Sequence, residues 1–281
     1  MDRVSDVRPS PIAGQWYARD AKRLSESVNK YIDAAYIPEI SDEIIAIIAP
    51  HAGHLYSGPV AGYAFASVKD MNPDLVAVIS PMHQPYSEPL LTSGHDAYNT
   101  PLGTIPVDKP AVQKLDSLLY KDLGFRLKAV RKDREHSLEI ELPFLQESLA
   151  GEFSLLPVMV RDQSVRVTKA LGISLSEVVK SRKSLLVAST DLSHFHSQKA
   201  ANKFDKEMLL RIENFDPIAV LEAENEKVGF ACGRGAVAAV LWAAKHLGGD
   251  SVKILNYATS GDVNQDFTQV VGYGAAVITK N

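Results

Sequence analysis

A chain of 281 residues, 46% hydrophobic and 23% charged, has the makeup of a soluble globular protein and can bury a large core in one domain. Its net charge of −4 gives no electrostatic reason to expect nucleic acid or an anionic membrane as partner, and no apolar run approaches the roughly 20 residues that cross a bilayer. One cysteine excludes an internal disulfide framework and fits a reducing compartment; because the N-terminal residues lack the apolar core of a signal peptide, the expected location is the cytoplasm.

In chain order, Arg8 to Tyr17 reads as an irregular arm, and Asp20 caps a helix with Leu24, Val28, Tyr31 and Ile32 on one face. Glu43 to Ala49 is a buried strand stopped by Pro50, and the loop His51 to Gly58 follows. Pro59 suits the first turn of a helix running to about Val68. Asp74 to Ser80 is a second strand, ending at Pro81, Met82 and His83. From Gln84 to Pro106 the spacing predicts a long loop with one edge strand near Leu90 and Leu91. A helix over 109–121 and a strand over 127–130 lead to Arg134-Glu135-His136-Ser137, with Ser137 as cap of a helix from Leu138 to Leu149 that carries Glu139 and Glu141. Phe153 to Val160 is a strand, Val165 to Lys180 a helix, and Ser184 to Ala188 a strand that runs into Asp191, His194 and His196. Helices over 198–213 and 217–225 come next, then Cys232 before an apolar helix from Ala236 to Leu247. Strands near 252–258 and 270–278 close the chain.

Strands alternating with helices predict an α/β fold, with a mostly parallel sheet and helices on both faces, as a single domain over residues 1–281. In such sheets ligands bind beyond the carboxyl ends of the strands, where His51, His54, His83, Asp191 and His194 are expected. Imidazole, carboxylate and the thiolate of Cys232 together suit a divalent transition metal. Each also has a plain structural reading. A lone histidine such as His83 or His246 is commonly a hydrogen-bonding residue, Cys232 a small buried hydrophobe, Asp191 a turn cap, and Glu139 and Glu141 solvated helix positions. Convergence from several strand ends is what distinguishes the two readings.

Several stretches carry a family resemblance: Pro9 to Tyr17, Ala49 to Gly58, Ile79 to His83, Glu135 to Leu145, Ser189 to His194, and Cys232-Gly233-Arg234. In this order, across nearly the whole chain, they resemble the Memo family, whose prokaryotic members are called AmmeMemoRadiSam system protein B. The resemblance implies a fold similar to class III extradiol dioxygenases of the LigB type, which bind non-haem Fe(II). It further implies a metal site of two histidines and a cysteine, matching His51, His83 and Cys232, with Asp191 and His194 beside it. The dioxygenases use a glutamate where Cys232 stands, and a thiolate is softer, so copper and zinc join iron as expected metals. Met82 and Gln84 depart from the serine and second histidine expected around His83.

The leading expectation is therefore a metal-dependent, dioxygenase-like oxidoreductase acting on an unknown small molecule. His194 is its general acid/base, Asp191 orients a ligand histidine or a water, and His136, Glu139 and His54 line the pocket. A second expectation is a non-catalytic metal-binding or protein-interaction module on the same scaffold. A third is hydrolysis with Cys232 as nucleophile and His194 as base. The resemblance also implies association with AMMECR1-like and radical-SAM proteins.

Overall fold

The apolar runs fold as strands covered on both faces. In the computed structural model of the chain, which describes residues 6–281, β1 (Val7–Arg8) and α1 (Ala21–Ala34) precede β2 (Glu43–Ala49), α2 (His54–Ser67) and β3 (Leu75–Pro81). Met1 to Ser5, part of the stretch read above for a signal peptide, lie outside the described residues. The section expected to be mostly loop holds three short strands, β4 (Leu90–Ser93), β5 (Ala97–Thr100) and β6 (Gly103–Pro106). Next come α3 (Lys109–Leu123), β7 (Lys128–Val130), a 3₁₀ turn at Glu139–Glu141, α4 (Leu142–Ser148), β8 (Ser154–Val160), α5 (Val165–Val179) and β9 (Ser184–Ser189). The chain ends with β10 (His194–His196), α6 (Gln198–Glu213), α7 (Pro217–Glu222), α8 (Arg234–His246), β11 (Ser251–Thr259), α9 (Gly261–Asn264) and β12 (Val270–Lys280).

The main sheet runs β10-β12-β2-β9-β3-β8-β4-β7, with β11 also paired to β12. Its centre, β2-β9-β3-β8, is parallel. The flanks are not: β12 runs antiparallel to β2, and β4 antiparallel to β8. The sheet is therefore mixed around a parallel core. A small sheet, β1-β5-β6, packs separately. Among the described residues, no helix is long and apolar enough to cross a membrane.

Period-two alternation splits the side chains of each central strand between two cores. Ala46, Ile48, Leu75, Ala77, Leu186 and Ala188 face the layer built from α3, α5, α6, α7 and α8. Ile47, Ala49, Val76, Val78, Leu185 and Val187 face α1, α2 and α4. This is an α/β fold with helices on both faces.

Two local expectations change. The helix expected from Leu138 to Leu149 is divided into the 3₁₀ turn and α4, because Pro143 lacks the N–H that would bond to the Glu139 carbonyl. Ser137 does not cap it; its hydroxyl donates to the Pro81 carbonyl at 2.8 Å and ties this segment to the end of β3. The helix expected to begin at Pro59 begins at His54 instead, with Pro59 inside it.

Candidate metal centre

β2, β9 and β3 are neighbours, so the loops leaving their carboxyl ends meet. The first brings His51, fully buried. Its main-chain N–H donates to Asp191 Oδ1 at 2.7 Å, which fixes the loop after β2 to the loop after β9. Its Nδ1 lies 2.9 Å from Ser189 Oγ, which is 2.7 Å from the Ser137 carbonyl and 2.6 Å from Glu141 Oε1. Burial, reinforced by Asp191, pushes the Glu141 carboxyl well above its usual range, so it is neutral. Glu141 then donates to Ser189 Oγ, the serine hydroxyl donates to Ser137, and its remaining lone pair accepts the Nδ1–H of His51. The Nε2 lone pair of His51 is left bare, 3.0 Å from Cys232 Sγ. Burial holds the Cys232 thiol above its ordinary range, so in the metal-free protein the S–H donates to that nitrogen. The thiol's imidazole partner is thus His51, and not the His194 named as base in the hydrolytic reading.

The second loop brings His83, exposed, in the grip of Glu135. The His83 main-chain N–H donates to Glu135 Oε2 at 2.6 Å, and its Nδ1 donates to Oε1 at 2.9 Å. Burial pushes the Glu135 carboxyl up, but the His83 hydrogen bond, the neighbouring imidazoles and the Ser137 amide outweigh it and hold the group below the carboxylate range. A fixed carboxylate on Nδ1 again leaves Nε2 free, the arrangement that orients a metal-ligating histidine. Glu135 was quoted above only within a motif; its neighbour in sequence, His136, was the residue singled out. His136 stacks on His83 with centroids 4.7 Å apart and on Trp16 at 4.1 Å.

One ligand nitrogen from each of His51, His83 and His136 falls within a 4.8 Å group. Burial pushes the His136 imidazole down to about 4 and the His51 imidazole well below its ordinary range, each helped by the other histidines. Imidazole nitrogens next to a thiol are a donor set suited to iron, copper or zinc. The residues fit such an ion. The structure brings His51 and His83 together with His136, which was expected only to line the pocket; Cys232 is outside that group, its Sγ 3.0 Å from His51 Nε2.

The remaining candidates divide. Asp191 accepts from the His51 amide and so holds the His51 loop through the main chain, and burial pushes its carboxyl up to about 7. His194 donates from Nδ1 to the Leu192 carbonyl at 2.8 Å, which leaves its Nε2 bare, and burial lowers its basicity. With Cys232, His196 and Phe230 it lines a cleft of about 220 Å³. Glu139 is not on that cleft. One carboxylate oxygen accepts from Arg8 at 2.5 Å and the other from Ser10 and Tyr17 at 2.7 and 2.8 Å. His54 is buried, with Nε2 donating to the Ile140 carbonyl at 3.1 Å and its ring between Tyr17 and Phe144. Glu135 and Ser189, which cap the two imidazoles, are the residues that spacing alone did not single out; Glu141 was weighed only as a helix position. The only signal was that Glu135 adjoins His136 and Ser189 ends a strand.

Residues 8–277 match the profile of the family described as Memo-like protein. The chain is similar to the MEMO1 family protein of Nitrosopumilus maritimus, 34% identical over 273 residues that cover 96% of this chain and 98% of that protein. The MEMO1 family protein of Thermotoga neapolitana is 40% identical over 285 residues, covering 97% of this chain and 100% of its own. That of Methanococcoides burtonii is 33% identical over 274 residues, covering 97% and 100%. Likeness on this scale spans nearly the whole chain, with His51, His83, His136 and Cys232 all inside the matched residues, and it places the chain in the Memo family.

Proposed function

We propose that His51, His83 and Cys232 hold one metal ion, a non-haem iron by preference with copper or zinc also suited, and that the site performs a metal-dependent, dioxygenase-like oxidation of an unidentified small molecule. The observation that carries this reading is the pair of capped imidazoles. Ser189 and Glu135 occupy the Nδ1 atoms of His51 and His83, so both present Nε2, and Cys232 Sγ stands 3.0 Å from the first of them. A bound iron or copper would supply electron transfer and polarise a coordinated oxygen. The chain itself provides the rest. His194, neutral and with a bare Nε2, takes the proton of a substrate hydroxyl and returns it on release. Asp191 keeps the His51 loop in place, and the stacked His136 and Trp16 shield one side of the site from water.

The test is metal analysis of protein purified without added metal, for the wild type and Cys232→Ser. About one iron or copper per chain is expected, with most of it lost in the variant. Neither metal in the wild type, together with unchanged metal binding in Cys232→Ser, would overturn the proposal. Oxygen uptake then separates an enzyme from a binding module on this scaffold: His194→Ala keeps its metal and loses turnover if the site is catalytic. The free thiol supports a cytoplasmic setting. Functional association with AMMECR1-like and radical-SAM proteins belongs to the same proposal, on the strength of the family resemblance.

A further inference from the structure

The cleft shared by Cys232 and His194 is also lined by Arg234 and Glu224. Arg234 opens α8, and its Nη1 pairs with Glu224 Oε2. The other edge of the guanidinium is uncommitted. Its Nε is buried with no hydrogen-bond partner, and no hydrogen bond to Nη2 is found among the described residues. A buried N–H without an acceptor is costly, and such groups are infrequent in folded proteins. The Nε and Nη2 edge is also the one that receives a carboxylate in a forked, two-bond geometry.

Three main-chain amides at the start of α8 are already committed. Cys232 N–H donates to the Asp191 carbonyl at 3.2 Å, Gly233 N–H to Thr190 Oγ1 at 2.9 Å, and Gly235 N–H to Gln163 Oε1 at 2.6 Å. The guanidinium is the cationic donor on this cleft. Opposite in character stands an aromatic wall, with Phe230 and His196 ring centroids 5.7 Å apart. At about 220 Å³ the cleft falls below the range of drug-sized pockets, so its ligand is small.

We propose that Arg234 is the specificity-determining residue of this cleft and that the molecule it selects is a small carboxylate with a flat apolar body. The carboxylate docks on the free edge of Arg234, the body lies against Phe230, and the opposite end reaches His194 and Cys232. Glu224 is an internal competitor for the same guanidinium. This deepens the reading of the site as a catalytic centre and rests on it.

Benzoate and benzamide, alike in shape and different in charge, are the probes. Each is titrated calorimetrically into metal-free and Zn(II)-loaded protein. The wild type is expected to bind benzoate about tenfold more tightly than benzamide. Arg234→Met removes that preference. Glu224→Gln, by freeing the guanidinium, tightens benzoate severalfold and leaves benzamide unchanged, while Glu26→Gln, the same charge change on α1, does neither. The opposite signs at Arg234 and Glu224 are what a merely structural ion pair does not produce. Equal binding of the two probes by the wild type, or a benzoate preference retained in Arg234→Met, would overturn the proposal. Should Arg234→Met fail to fold, Glu224→Gln decides, and unchanged or weaker benzoate binding overturns it. Metal content of the same samples keeps the two readings apart: no benzoate preference at full metal content indicts Arg234 alone, and a preference in protein that binds no metal indicts the metal centre alone.

Discussion

His54 and Glu139 show how one motif can carry both chemistry and architecture. Both belong to the stretches that suggested a pocket, and both are interior structural residues. Burial pushes the His54 imidazole down to about 4, against an ordinary 6.5. Between those values the unfolded chain binds the proton and the folded chain does not. Stability is therefore complete above pH 6.5 and falls as the pH drops toward 4, by at most about 3 kcal/mol from this residue. His54→Phe, whose ring suits the space between Tyr17 and Phe144, is expected to flatten part of that slope in urea unfolding between pH 4 and 7; an unchanged slope would refute it. Glu139 shares Arg8 with Asp133, and all three are buried. Arg8→Met strands two carboxylates in the interior, with an expected cost of about 3–5 kcal/mol in urea unfolding. A loss under about 1 kcal/mol would show that the carboxylates find other partners.

At the scale of elements, the site depends on how closely α8 approaches the ends of β9 and α5. A Cβ on Gly233 would lie 2.3 Å from the Ser189 carbonyl oxygen, so only glycine lets Cys232 sit beside His51. Gly233→Ala is expected to weaken Zn(II) binding about tenfold or more, by displacing the thiol while His51 and His83 stay in place. Competition titration with a chromogenic chelator measures this, and unchanged affinity would show that the loop absorbs the methyl group. In Gly172 of α5 the same addition would meet Trp242 Cβ at 2.4 Å and the Ala239 carbonyl oxygen at 2.5 Å on α8. Gly172→Ala is expected to cost about 1–3 kcal/mol in thermal unfolding by forcing the two helices apart.

For the whole molecule, a ligand bound only by the folded state adds its binding energy to stability. Zn(II) at a hundredfold excess over its dissociation constant is expected to stabilise the chain by about 2.7 kcal/mol, seen in calorimetry as a melting point several degrees higher. Excess chelator reverses the rise, and Cys232→Ser diminishes it; a melting point indifferent to metal would count against the proposed centre. Much of this molecule is legible in its order of residues. The apolar runs of β2, β3, β8 and β9 are long enough to require cover on both faces, and that fixes the α/β class and puts His51, His83 and Asp191 at strand ends. Spacing says nothing about which strand lies beside which, or about direction at the edges of the sheet. Strand order alone brings Cys232 to His51 across 181 positions and Glu135 to His83 across 52, and it decides that Glu139 holds Arg8 instead of facing a ligand. Local preference is written in neighbouring residues, whereas a hydrogen-bond partner far along the chain is chosen only when the packed sheet excludes the alternatives.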